Sequence, residues 1–368
     1  MSGATPQIAA FLDEMRKRGA SDLHLKAGSP PMLRVHGDLQ PLSAETFDED
    51  RILALVRGVA SEKQMSLYLD TGNLDFAVGT PEGRFRLNVF RQRGHTSVAI
   101  RHVHRLIKGF DELHLPKVLA DVCTLSQGMI VVAGITGSGK STTLAAMIEH
   151  INSRERCHIV TIEDPIEYVY EDKLSFINQR EVGIDVEDFR SALRYVVRED
   201  PDVILIGEMR DRETISSALA AAETGHLVFG TLHTSSASQT LDRILSFYPR
   251  ERHRLIRHAL AFNVKAIVCQ QLIPSCIPEL DRVPAIEILL MSPIVRKLLL
   301  DEDDARLGDA IRVGREEGMQ DFTESFRQLV EGNLVDRKTA FERAPNVEAL
   351  RMALKGIVGG ETGLLGKV

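Results

Sequence analysis

No stretch of the 368-residue chain approaches the ~20 consecutive apolar residues that a membrane-spanning helix requires, so no span is expected. The opening MSGATPQIAAFLDEMRKRGA lacks a basic region followed by an apolar core and a small-residue cleavage site. No secretion signal is therefore expected, and the two absences together point to the cytoplasm. An excess of basic residues is also missing: 45 Lys and Arg face 52 Asp and Glu, giving a net charge of −7 and a pI near 6.0. A broad grip on nucleic acid needs many phosphate-neutralising cations, so that class is disfavoured and only a local basic patch is left open. The four cysteines, Cys123, Cys157, Cys269 and Cys276, form no C-x-x-C pair, which argues for reduced core thiols and against a zinc site. Repeats and low-complexity segments are absent, and the one charge block, DEDD at 301–304, reads as a solvated helix end or turn.

What is present is a soluble globular composition, 43% hydrophobic and 26% charged, in a chain long enough for two or three units of roughly 100 to 200 residues. Ile8, Phe11, Leu12 and Met15 predict a helix over 6–18, stopped by Gly19. Short alternating segments follow: DLHLKAG, MLRVHGDL, NLDFAVGTPEGRFRLNVF with a Pro-Glu-Gly turn, and TSVAIRHV. They predict antiparallel strands of a small α+β domain, 1–105. Gly and Pro in HRLIKGFDELHLP mark a linker, 106–116. Beyond it the runs MIVVAG, HIVTIE, DVILIGE and HLVFGTL alternate with helical stretches, as parallel strands buried on both faces do. The predicted core spans 117–290. From about Arg250 onward the apolar spacing reads as mostly helical, ending in a helical region over 291–368, with Phe322, Phe326, Leu329 and Val330 on one stripe.

Gly134 to Ser141 spells G-x-x-x-x-G-K-S between an apolar strand and an amphipathic helix, the context that a phosphate-binding loop demands. Glycines let the loop N–H groups turn inward, the helix adds its positive end, Lys140 reaches the β and γ phosphates, and the Ser141 hydroxyl ligates Mg²⁺. Gly134, Thr136, Gly137, Ser138, Gly139, Lys140, Ser141 and Thr142 are thus the candidate residues for ATP. Three polar sites occupy comparable places, each closing an apolar strand: Glu163 and Asp164, Glu208, and His233. Ligands of doubly wound sheets bind beyond the carboxyl ends of the strands, so these residues are expected to converge on the triphosphate. Pro165 is expected to stop its strand and aim the acids outward. Glu208 is assigned to Mg²⁺ and its waters, Glu163 to general-base work and His233 to sensing the γ phosphate; the division of labour between the acids is left open.

The stretches GITGSGKST, TIEDPIEY, NQREVGIDVEDF, VREDPDVILIGEMRDRETI and AAETGHLVFGTLHT resemble the Walker A, Asp box, Walker B and His box regions of PilT- and PilU-type ATPases, members of the secretion-type hexameric motors. The resemblance implies an α/β fold: a RecA-like P-loop NTPase domain with a parallel-rich sheet, preceded by a PAS-like α+β domain and followed by helices. It implies a homo-hexameric ATPase with ATP and Mg²⁺, acting peripherally at the inner membrane on a pilus platform protein, with a paralogous ATPase as a further partner and no nucleic acid. It also implies phosphate-contacting arginines. Arg86 is the first choice in the N-terminal domain, with Arg84, Arg91 and Arg101 as alternatives. Arg194 and Arg198, spaced i, i+4 and expected to share a helix face, are the others. A long N-terminal extension and a four-cysteine insert, found in pilus assembly ATPases, are missing, so retraction is favoured over assembly. Ile135 replaces the usual Pro, and the Ala-Ile-Arg-Asn-Leu-Ile signature is only partly echoed by IVRKLL at 294–299, which keeps Arg296, so PilT-like and PilU-like roles, and traffic of another substrate, stay open.

Overall fold

Ile8, Leu12 and Met15 fall on one face of α1 (Pro6–Lys17) and all three are buried. Gly19, at φ +60°, takes the left-handed conformation that turns the chain out of this helix and into β1 (Ala20–Lys26). The structure, a computed structural model, describes residues 6–35, 37–80, 83–103 and 106–356, the side chains of residues 6 and 7 excepted. The expected Pro81-Glu82 turn, the domain end near residue 105 and residues 357–368 of the helical region lie outside them. The chain forms two compact units, the first built on residues up to Leu106 together with Ile166–Tyr170, the second on Ile107–Pro165 and the chain from Glu171 onward.

In the first unit β2 (Met32–Val35), β3 (Asp38–Pro41), β4 (Asn73–Thr80), β5 (Gly83–Gln92) and β6 (His95–Val103) join β1 in an antiparallel sheet of order β3-β2-β1-β6-β5-β4. Strand periodicity puts Phe85, Leu87 and Val89 into the core with Leu23, Leu25 and Ile100. Two helices that the sequence reading passed over, α2 (Glu49–Arg57) and α3 (Glu62–Thr71), cover this face. Their signals are start signals: the Asp48 carboxylate accepts from Arg51 N, and Ser61 and Gln64 cap one another's backbone N–H groups.

The second unit runs α4 (Val118–Cys123), β7 (Gly128–Ala133), α5 (Lys140–Asn152), β8 (His158–Glu163), β9 (Phe176–Glu181), α6 (Phe189–Val196), β10 (Val203–Ile206), α7 (Arg212–Glu223), β11 (Leu227–Leu232), α8 (Ala237–Ser246) and α9 (His253–Asn263). Two long strands, β12 (Val264–Pro274) and β13 (Arg282–Leu290), follow. The sheet order is β13-β12-β7-β11-β10-β8-β9, with every pair parallel except β12 and β13. β7, β10 and β11 are buried at every residue, which is why they read as unbroken apolar runs.

β12 and β13 correct the expectation of a mostly helical chain after Arg250. Strands buried on both faces carry no alternation, and runs such as AIVCQQLI and VPAIEILL have no period that separates them from a buried helix. The helices beyond them are α10 (Pro293–Leu300), α11 (Leu307–Val313), α12 (Phe322–Glu331), α13 (Arg337–Arg343) and α14 (Val347–Ala353), and they pack onto the sheet. Val295, Leu299, Phe326 and Leu350 join the same core as the sheet. The chain before α12 and the helix itself close the edge of β13: Ile288 and Gln320 exchange backbone hydrogen bonds, and Ser325 Oγ accepts from Ile286 N at 2.9 Å. No helix among the described residues is long and apolar enough to cross a membrane.

The acidic block is only partly solvated. Asp304 receives Arg257 of α9 through two bonds, Nη1 to Oδ1 at 2.8 Å and Nη2 to Oδ2 at 2.5 Å, with side chains only 10% and 16% exposed. Asp304→Ala leaves the buried Arg257 guanidinium with the Leu299 carbonyl but without its carboxylate, and is expected to cost about 3 kcal/mol in denaturant unfolding. The joint replacement Arg257→Met with Asp304→Leu is expected to recover most of that loss, and a double variant no better than Asp304→Ala would refute the account.

Candidate functional site

The β7–β11 ladder continues one step past β7, where Gly134 N donates to Leu232 O at 3.2 Å, and the phosphate loop begins there. Gly134 at φ +156° and Gly139 at φ +87° take conformations that other residues resist, and both lie tightly against β12. A Cβ on Gly134 would come within 2.3 Å of Ser138 Oγ and 2.5 Å of Gln270 O; one on Gly139 would come within 2.7 Å of Gln270 Nε2. Gly137, at φ +77°, faces open space. α5 then opens at Lys140 with no side-chain cap on its N-terminus, leaving its first N–H groups and positive end at the loop. Lys140 Nζ folds back to donate to Gly134 O at 2.8 Å and Ile135 O at 3.1 Å. Ser138 Oγ is buried with no hydrogen-bond partner. An orphaned hydroxyl, a lysine ammonium folded over the loop and glycines at both of its ends fit a phosphate group.

Strand order sets where the other expected residues lie. From β7 the neighbours are β11, β10 and β8, which end next to His233, Glu208 and Glu163 respectively. At roughly 4.8 Å per strand, His233 is one step from the loop strand, Glu208 two and Glu163 three. Gly207 lets the ends of β10 and β8 close together, since a Cβ there would sit 3.2 Å from Glu163 Cα. His233 Nε2 lies 3.1 Å from Glu208 Oε1. Arg210 Nη2 donates to Glu208 Oε2 at 2.7 Å, and its Nη1 lies 3.9 Å from Asp164. The hydrogen bond from Arg210 holds the Glu208 carboxyl below the usual carboxylate range, against the effect of burial and with a smaller contribution from His233. Glu163 is not aimed outward as expected: it is 8% exposed and accepts from Thr161 Oγ1 at 2.7 Å and Gln179 Nε2 at 3.1 Å, while Asp164 is the solvated member of the pair.

Most of the expected arginines have local partners. Arg86 is held by Asp75, Nε to Oδ1 at 2.9 Å and Nη2 to Oδ2 at 2.6 Å, and Arg101 by Asp22 at 2.8 Å, each within the first unit. Arg91 Nη2 donates to Leu69 O at 2.9 Å. Arg194 and Arg198 do not share a helix face, because α6 ends at Val196. Both are exposed, and Arg194 lies 5.9 Å from the Tyr195 ring. Arg296 Nε donates to Ala261 O at 3.0 Å.

For magnesium, the described residues contain no group of three or more His, Cys, Asp or Glu placed around one point. Ser141 at the loop and Glu208 on the same strand edge are the oxygen donors expected to serve it, a sparse pair that suits an ion arriving with phosphate oxygens and its own waters. Two residues of the site were missed from the sequence. Arg210 follows Glu208 by two positions and was there to be seen as its counter-ion. Gln270, a buried amide inside the apolar run of β12, bonds both Ser138 O and Thr143 Oγ1; its signal was a polar pair, Gln270-Gln271, in a strand read as helix.

A glycine-rich loop joining a parallel strand to a helix, with acids and a histidine at the neighbouring strand ends, defines a RecA-like P-loop nucleotide-binding domain. The chain belongs to the type II/IV secretion system protein family, whose model matches residues 3–327. The Pseudomonas aeruginosa type IV pilus retraction ATPase PilT is 42% identical over 338 residues, covering 92% of this chain and 98% of PilT. The type IV pilus ATPase PilU of the same organism is 37% identical over 351 residues, covering 95% of this chain and 91% of PilU. A crystal structure of the pilus retraction motor PilT with bound ADP aligns with a TM-score of 0.87 at 41% identity, covering 94% of this chain and 98% of that one.

The two loop glycines separate steric from purely conformational demand. Gly134→Ala meets both a collision and an unfavourable φ, and is expected to lower unfolding free energy by about 3 kcal/mol, whereas Gly137→Ala, with open space, should cost about 1 kcal/mol. Equal losses in denaturant titrations of the two variants would show that β12 does not hold the loop.

Proposed function

We propose that this chain is an ATP-hydrolysing motor that powers retraction of a type IV pilus, working as a homo-hexameric ring. The observation that carries the reading is the meeting of the phosphate loop, His233 and Glu208 on one strand edge, in a chain 42% identical to a retraction ATPase over nearly the full length of both. The proposed setting is the cytoplasmic face of the inner membrane, held peripherally at the pilus base against a platform protein. Nucleotide-driven domain rotation is the proposed output.

In this mechanism Lys140 exchanges Gly134 O and Ile135 O for β- and γ-phosphate oxygens. Loop N–H groups, with Thr136 and Thr142 beside them, orient the phosphates. Ser141 and Glu208 would hold magnesium, which would neutralise charge on the phosphate oxygens. Glu163, nearly buried and fixed by Thr161 and Gln179, takes the proton of the attacking water, and His233 reads the γ phosphate through its bond to Glu208. Arg86, Arg194 and Arg198 are the candidates for completing the site across a ring boundary; for Arg86 this requires release from Asp75. A second reading, an accessory subunit working beside a paralogous ATPase, is favoured by the 37% identity to PilU.

Lys140→Ala is expected to abolish nucleotide binding. Glu163→Gln and Glu208→Gln should still bind ATP while losing turnover by 10²-fold or more, as expected when a base or metal ligand is removed and the cradle kept. Magnesium-dependent phosphate release by the assembled wild-type ring, and cells that keep surface pili but cannot withdraw them when the chain is deleted, are the supporting measurements. A ring that releases no phosphate argues for the accessory role.

The pH profile gives an independent check on Glu208. A carboxyl held low stays ionised until the pH falls well below the ordinary carboxylate range, so the acid limb of kcat/KM for ATP should lie low in the wild type. Arg210→Gln removes the leading cause of the depression, and the acid limb should then move to higher pH. An unmoved limb would separate Glu208 from the titration.

A further inference from the structure

The phosphate loop rests on one side chain of β12. Gln270 is 4% exposed, and the residue before it, Cys269, pairs with Ala133, so Gln270 sits just beyond the end of β7 and beneath the loop. Its Nε2 donates to Ser138 O at 2.8 Å and its Oε1 accepts from Thr143 Oγ1, itself buried in α5, at 2.7 Å. The orientation of the amide is fixed by these partners. A carbonyl can only accept, so the group facing Ser138 O must be the NH₂ and the group left for the Thr143 hydroxyl must be the oxygen. One planar group thereby ties the loop to the first turn of the helix that follows it. The glycines at both ends of the loop are packed against the same residue.

The consequence for ligand binding follows from peptide geometry. In a trans peptide the C=O and the following N–H point in opposite directions. With Ser138 O drawn to Gln270, the N–H of Gly139 must face away from β12, toward the side on which the loop receives phosphate. We infer that Gln270 is a positioning residue for the phosphate loop, whose carboxamide, bonded to Ser138 O and Thr143 Oγ1, aims the Gly139 N–H at the phosphates of a bound nucleoside diphosphate or triphosphate. The inference rests on the nucleotide-binding part of the function proposed above. It assigns Gln270 no contact with the ligand: the side chain acts through the backbone it holds.

The test is calorimetric titration of the full chain with MgADP, alongside steady-state hydrolysis of MgATP. Gln270→Met, close in volume and without donor or acceptor, should weaken MgADP binding about tenfold or more, with KM rising by a similar factor and kcat changed far less. Gln270→Glu keeps the acceptor for Thr143 and removes the donor to Ser138. It should bind weakly at pH 8 and recover several-fold toward pH 6, as the introduced carboxyl gains a proton to donate, while the wild type shows no such recovery. Gln270→Met binding MgADP within twofold of wild type would overturn the inference. So would a Gln270→Glu protein that is folded by thermal melting yet equally weak at both pH values. Failure of the proposed function looks different: the wild type would then bind MgADP and release no phosphate from MgATP, while the binding differences among the Gln270 variants would persist.

Discussion

The parallel pairing of β7, β11, β10 and β8 is the constraint from which the site follows. Parallel strands deliver all their carboxyl ends to one edge, so a loop after the first, a histidine after the second and acids after the third and fourth share that edge without any long excursion of the chain. The spacing between them is a property of the backbone ladder rather than of side-chain packing. Small residues let the ends approach: Gly207 beside Glu163, and Gly230, where a Cβ would lie 2.7 Å from the Met209 side chain. The same topology requires crossover helices on the faces of the sheet, and strands buried on both sides must be apolar throughout. The hydrophobic runs of the second unit and the convergence of its polar residues are two results of one arrangement.

On the opposite flank of β7, the β12–β13 hairpin holds two parts of the edge at once. Gln270 of β12 binds the phosphate loop, and Glu287 of β13, which pairs with Cys269, accepts from Ala237 N at 2.8 Å, at the start of the helix that follows the His233 segment. Burial pushes the Glu287 carboxyl upward, with the neighbouring charge of Asp321 adding to it, and the bond from Ala237 N opposes the shift. The hairpin is in turn braced by the C-terminal helices through Gln320 and Ser325. A segment without any of the expected site residues therefore governs the geometry of several.

Local chemistry was legible wherever one residue type admits few alternatives. The loop glycines, Lys140 after them and the polar residues ending apolar strands announced the site because each answers a backbone or phosphate requirement that other side chains meet poorly. The antiparallel strands of the first unit were legible through alternation. What escaped was decided by distant partners. β12 and β13 are defined by neighbours in the sheet; Asp304 looked solvated until Arg257, 47 positions away in sequence, was found against it; Gln270 bonds residues 127 and 132 positions away. The i, i+4 spacing of Arg194 and Arg198 suggested a shared face, but spacing carries no information on where a helix ends, and α6 stops between them.

The partners held in this structure also say how the site can change state. Lys140 donates to two neutral carbonyls, Gly134 O and Ile135 O, which are weaker acceptors than phosphate oxygens. Glu208 is held by Arg210, a side chain 60% exposed; pairs with that much solvent access contribute on the order of 0–1 kcal/mol and are readily exchanged. Glu163, by contrast, is nearly buried and accepts from Thr161 on its own strand and Gln179 on the adjoining one, bonds that lie within the sheet itself. The edge thus combines a nearly buried carboxylate, Glu163, with a solvent-accessible ion pair, Glu208 and Arg210, that can open at little cost to the sheet that carries it.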